Sequence, residues 1–503
     1  MKKFVMLTMA VALIAFFAMP KGASAVAPQM IFKGDYQVVG IMSDNVSDRN
    51  DDVSDGAAYV EQRFRLTHIA AMPNVKGIIG IEIGWDEWGK SYSYNGVGSQ
   101  SSINMFKDPG DTGVIADTNS TNIEVRMAYI DFNVPGMPLS VSAGKQFLFT
   151  HNHAIITAAA ATPGIKFDYK IAEGSKLSLW WTKLAEGTVS SSPSLTTADM
   201  NGGLRGNGDK DNDAYCLEFS QKTQAYDLGV YGVYNRDRRE TGVNPFGGHP
   251  FFPLPTGPST QLYNEDIYWA GLWAGFKAGP VKLGVDAIYS FGKRDFDSAS
   301  TSDMDYSGYY LRVDGSMNLG GPTLDFLSVY ASGDNDSTDD KIKNFAYVDG
   351  NYRFPALGLL ASGPNLLYWG NGIAPEEFAQ ICLPTSGWDN YDGTDNNGNS
   401  YSLGRWFTML GATMPVDKLK LVAKYWYLQT AATIPSITRT NYYRSGSKNM
   451  GHEVDLEAHY QLTPNLTVSA EGDYLIAGEY FNPSATKDAD NAWKAAWAIK
   501  LVF

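Results

Sequence analysis

Glu453, Asp455 and Glu457 stand at every second position of one short stretch, and Glu471 and Asp473 repeat the spacing soon after. Glu61, Arg63 and Arg65 keep the same period, as do Glu124 with Arg126 and Arg312 with Asp314, while Lys420 and Lys424 stand two such steps apart. Side chains two apart in an extended chain point the same way. Charges set out like this do electrostatic rather than covalent chemistry: on a pore wall they make a fixed field that sorts ions and orients polar solutes. Glu82, Glu218 and Asp286 fall on the same wet faces, and with them Lys166, Asp168 and Lys282. For any single member, a solvated wall of ion pairs is the plainer reading.

Groups suited to bond-making chemistry are missing. The sequence has no GxSxG, no Walker loop and no HExxH, so no enzyme and no catalytic residue is expected. His151-Asn-His153 lacks an acidic or cysteine ligand close by and is read as an ordinary loop rather than a metal pair. Asp209, Asp211 and Asp213, and the run DNYDGTDNNGN over 389–399, offer oxygen ligands that suit calcium. Neither run supplies a distal Glu, so solvated loops are preferred, with no metal and no cofactor expected.

The elements that must carry these charges are strands. Eighteen segments of about 9–12 residues alternate apolar and polar side chains, a length that crosses a bilayer at a tilt. They are 31–41, 58–70, 76–86, 122–133, 138–148, 164–171, 175–185, 213–221, 225–235, 266–277, 281–291, 305–317, 322–331, 403–413, 418–428, 452–461, 465–474 and 491–503. Short connections built on Pro, Gly or Asn alternate without exception with long polar ones. That is the layout of a single all-β transmembrane antiparallel barrel with short periplasmic turns and long extracellular loops. In 491–503, Trp493, Trp497 and Phe503 share the apolar face while Lys494 and Lys500 take the opposite one. A terminal strand ending in Phe resembles the signal that outer-membrane barrels show their assembly machinery. Aromatics near strand ends (Trp85, Tyr129, Tyr289, Phe291, Tyr474 and Trp493) are expected in the interfacial girdles.

Lys2 and Lys3, an apolar run over 4–19 and Ala23-Ser24-Ala25 form a secretory signal peptide, 1–25, leaving 26–503 as the barrel. Removing Lys2, Lys3 and Lys21, with no acid in that stretch, takes the formal charge from −14 to −17. An acidic chain does not suit nucleic acid. Export places it in the outer membrane of a Gram-negative bacterium, with lipid and lipopolysaccharide around it. A barrel this wide encloses water, which points to passage of small solutes; homo-oligomers are compatible with it.

Ile123–Phe132 (IEVRMAYIDF), Leu139–Gln146 (LSVSAGKQ) and Gly451–Tyr480 resemble the alginate-export type of outer-membrane porin. The resemblance implies an 18-stranded pore and a lumen in which Arg63, Arg65, Arg126, Lys145, Arg312 and Lys424 would face an acidic polysaccharide. Glu61, Glu124, Glu218, Asp314, Glu453, Asp455 and Glu457 dilute that charge, so passive diffusion is preferred over alginate export. A barrel of this layout could also sheathe a partner protein as a conduit, or present its long loops as an adhesin. The acidic cluster predicts mild cation selectivity. The longest connection, 332–402, holds apolar stretches that should fold into or over the pore. An oxidising compartment also permits a Cys216–Cys382 disulfide at the rim.

Overall fold

The computed structural model describes residues 27–45, 51–52, 56–88, 123–148, 150–151, 161–185, 211–238, 263–296, 303–336, 339–346, 404–433, 437–439, 442–444 and 446–503. The expected signal peptide, His153, Asp209, Cys382 and the run 389–399 lie outside them.

Eighteen strands make the wall. They are β1 (Gln29–Asp44), β2 (Ala57–Met72), β3 (Val75–Glu87), β4 (Ile123–Asn133), β5 (Leu139–Gln146), β6 (Thr162–Ala172), β7 (Ser175–Ala185), β8 (Asn212–Lys222) and β9 (Tyr226–Asp237). The ring continues with β10 (Tyr263–Ala278), β11 (Val281–Phe296), β12 (Met304–Asn318), β13 (Thr323–Ala331), β14 (Arg405–Val416), β15 (Leu419–Gln429), β16 (Asn449–Thr463), β17 (Leu466–Ala477) and β18 (Ala492–Val502). Each pairs antiparallel with its chain neighbours, and β18 closes on β1 from Asp35↔Val502 to Asp44↔Trp493. Closure leaves no free edge strand among the described residues, and hydrocarbon would penalise such an edge by several kcal/mol per unpaired group.

Every expected segment corresponds to one wall strand; β5 is shorter than expected, at 8 residues, and others are longer, up to 16 residues in β1, β2, β10 and β11. At ~3.3 Å per residue such strands extend beyond the ~30 Å hydrocarbon layer even when tilted. Residues 414–416, between the expected segments 403–413 and 418–428, are strand: Pro415 pairs with Lys420, and the chain reverses at Asp417–Lys418 with Asp417 at φ 53°. A proline is tolerated there because the strand is about to end.

Period two decides the faces. Leu272, Phe276, Leu283, Leu410 and Leu456 point outward and are exposed, Leu456 to 59 %. Such a continuous apolar surface is stable against lipid, not water. At the long-connection end, Tyr215, Tyr234, Tyr268 and Phe291 stack in succession at centroid distances of 5.9, 4.7 and 5.5 Å. At the short-turn end, Phe32 stacks on His68 at 4.8 Å and Phe64 on Phe503 at 6.0 Å. Two aromatic levels thus bound the apolar band. Tyr129 is not part of either, because the register sets it opposite Ile78, on the inner face. A bulge in β4 between Met127 and Val125 shifts that alternation.

The most buried side chains lie inside the barrel: Trp180, Cys216, Trp269, Tyr310, Leu327, Phe407 and Trp426 form one cluster. Part of their cover comes from two connections that leave the wall. After β5, Leu148 and Thr150 are buried. After β13, Lys341–Ile342 pairs parallel with Asp305–Tyr306 of β12, and Phe345 and Ala346 then turn in over Tyr310 and Trp269.

Candidate functional site

The inner wall between β15 and β18 carries the acidic panel. The register sets Asp455 opposite Asp473 and Glu457 opposite Glu471. Like charges directly opposite are unfavourable, and the neighbouring strands supply the compensation. Lys424 on β15 bonds Glu457, and Lys494 on β18 lies 3.7 Å from Asp473. Trp426 Nε1 donates to Asp455 at 2.7 Å, while His459 bridges Glu457 at 2.9 Å and Ser469 at 3.0 Å. Glu453 and Lys420 share this inner face.

A basic panel adjoins it across the β18–β1 seam. Arg63 meets Asp35 at 2.9 Å and Gln37 at 3.2 Å, and Glu82 accepts from Arg65 at 2.5 Å and forms an ion pair with Arg126 at 3.1 Å. Glu61 lies opposite Val39 and Glu124 opposite Glu82, all inward. A hollow lined by Lys33, Asp35, Arg65, Thr67 and Arg126 opens here. Further round, Asp168 takes Ser178 Oγ at 2.5 Å and lies 3.1 Å from Lys166 and 3.5 Å from Lys176; Glu218 sits opposite Ser178. Asp286 lies opposite Arg312, whose Nε reaches Asp314 at 2.9 Å.

The structure therefore brings all but one of the proposed lining residues to the inner face. Lys145 is the exception. The ladder sets Ala143 opposite outward Ile130 and Lys145 opposite Ala128, the next position on the same outer face. Leu139 and Val141 share that face, so the apolar alternation of β5 carries Lys145 outward with them.

The exposure of these charges differs. Asp455, Glu457, Glu471 and Asp473 are buried, whereas Arg65, Lys166, Lys176 and Asp168 retain between 28 and 40 % of side-chain exposure. A covered carboxylate paired with lysine projects little field into water.

Of the cysteines, Cys216 is buried on the inner face of β8 opposite Trp180. Asp211 pairs with Lys183 at 2.6 Å, and Asp213 accepts from Trp181 at 2.9 Å. His151 is drawn into the lumen, stacked on Trp273 at 4.3 Å. The inward aromatic cluster is the feature that alternation did not reveal. In β10, Tyr268 and Trp269 are adjacent and face opposite ways, so no apolar-to-polar contrast marks the inner side.

No protein-family model matches the sequence, and no curated protein matches it. Solved structures do. Acinetobacter baumannii OccAB3 is 9 % identical over 94 % of this chain and 99 % of its own, with a TM-score of 0.49. Pseudomonas aeruginosa OccK8 (OprE) is 10 % identical over 94 % and 98 %, TM-score 0.48. OmpT, an outer membrane protein of Vibrio cholerae, is 10 % identical over 96 % and 100 %, TM-score 0.37. Identities this low transfer no solute from those proteins to this one.

Proposed function

We propose that the protein is an outer-membrane channel through which small polar solutes and ions diffuse. The observation that carries this reading is a closed barrel with an apolar outside and an inner wall set with fixed charges of both signs. Eighteen strands leave more room than side chains alone fill. In this reading the short turns face the periplasm and the long connections face the cell exterior. No catalytic role is assigned.

The partly exposed inner charges are of both signs (Arg65, Arg126, Lys166 and Lys176 with Asp35, Glu61, Glu124, Asp168, Glu218 and Asp314), so neither small anions nor small cations should be strongly preferred. Export of an acidic polysaccharide would draw on the same side chains. Liposome swelling with sugars, amino acids and short uronate oligomers of graded size tests the reading. Swelling rates that fall with solute size support diffusion; liposomes that do not swell in any solute would refute it, and swelling confined to uronates would favour the exporter.

A further inference from the structure

Three residues after the buried Leu148, His151 lies against a wall sector four strands further round the barrel. Leu148 reaches Gly164 of β6, close enough that a Cβ on that glycine would stand 2.6 Å from it. His151 stacks on Trp273 of β10, with an interplanar angle of 7°, and its Nε2 lies 3.6 Å from Asp286 Oδ1 on β11. Three residues span at most ~10 Å, so the chain must leave the wall to make the passage.

The seat for His151 is built. Trp273 lies over Gly229 of β9, where a Cβ would come within 2.2 Å of the indole, and Tyr231 lies in the same way over Gly271 of β10. Any larger residue at those two positions would push the rings off the wall. The rings therefore form a low platform, Tyr231 tilted against Trp273 at 5.8 Å. Trp273 and Asp286 are buried, while the His151 side chain keeps 31 % exposure to the lumen.

An imidazolium gains twice on this seat, from the indole face and from the carboxylate, and a neutral imidazole loses both charge terms. Further groups on the surrounding elements enter the balance. Arg312 of β12 is opposite Asp286 and shares its field; Tyr231 of β9, with Tyr310 of β12 and Glu218 and Cys216 of β8 that act on it, are further titratable groups near Trp273 and Asp286. Histidine is the side chain whose ordinary titration falls in the neutral range. We propose that His151 is a proton-sensitive latch, which ties the chain after β5 to the β10–β11 wall when charged and loosens it when neutral. In the channel reading, on which only the current readout rests, the loosened chain enters the passage.

The test uses the full chain folded in detergent. Hydrogen–deuterium exchange of peptides covering 146–151 is compared between pH 5.5 and 8 after correction for intrinsic rates, in wild type, His151→Phe and Asp286→Asn. Wild type should lose roughly fivefold protection with rising pH, of the size a cation–π contact and one ion pair supply. His151→Phe keeps a ring on the indole without a titrating proton and should show no pH step; Asp286→Asn should show a reduced one. A wild-type step absent, or retained in full by His151→Phe, overturns the latch whether or not the barrel conducts. Bilayer recordings add the consequence: transient closures should become more frequent from pH 5.5 to 8 in wild type, less so in Asp286→Asn and not in His151→Phe. Closures independent of pH in a conducting wild type would refute the latch and leave the channel reading intact.

Discussion

Replacing Gly308 with alanine should release the inward part of the connection after β13. Gly308 faces the lumen on β12, and the backbone of Asn344 and Phe345 crosses directly over it. A Cβ there would stand 2.3 Å from the Asn344 carbonyl oxygen and 2.6 Å from Phe345 Cα. Comfortable carbon–oxygen contact begins near ~3.3 Å, so the segment must move by about 1 Å. The Trp269 Nε1 bond to the Ala346 carbonyl, now 2.9 Å, would stretch past the hydrogen-bond limit. Its loss costs about 1 kcal/mol, and disturbing the Tyr310–Phe345 contact, with centroids 5.4 Å apart, adds about 0.5–1.5 kcal/mol. The sum, roughly 1.5–2.5 kcal/mol, raises the released population by about 10- to 70-fold. Trypsin cleavage at Lys341 and Lys343 should accelerate in proportion, because cleavage of a transiently opened segment follows its population. Gly321→Ala, where a Cβ meets nothing within 4 Å, is the control. Unchanged cleavage in Gly308→Ala would show that the segment is not held by this seat.

Three further outcomes follow from the wall and its rim. Lys424→Met leaves the buried Glu457 carboxylate without its lysine; urea unfolding should show a loss of about 3–5 kcal/mol, with partial recovery when Glu457→Gln is added. Deleting Phe503 removes two backbone bonds to Gly34, of 3.0 and 2.8 Å, and the stack on Phe64, so unfolded precursor should accumulate in cell fractions; normal heat-modifiable barrel would contradict this. At the rim, the Asp51 N–H donates to Asp490 at 3.0 Å and lowers its pKa, while the bond from Lys487 to Asp52 at 2.7 Å raises that of the lysine. A lowered carboxyl pKa stabilises above its ordinary value, and a raised lysine pKa stabilises below its own. This link between the first and last connections should therefore persist from about pH 4 to 10 and fail on either side. Exchange of the Asp51 amide against pH measures it.

The wall was legible because lipid and water impose opposite demands on neighbouring residues. Val454, Leu456 and Tyr460 had to alternate with Glu453, Asp455 and His459, and short turns had to alternate with long connections. The acidic and basic panels followed from the same period, except at Lys145, where a resemblance rather than the alternation of β5 assigned the face. Contacts made by connections are different. Nothing local to His151 marks Trp273 as its partner, since the two meet only after the barrel has closed and the chain has crossed it. Gly308 likewise gives no sign in sequence that backbone passes over it.

The central claim is that the barrel conducts, and single-channel recording of the purified protein in planar bilayers tests it most directly. We expect a stable open level proportional to salt concentration, with a reversal potential in a salt gradient close to zero. A correctly folded barrel that inserts and stays electrically silent would contradict it.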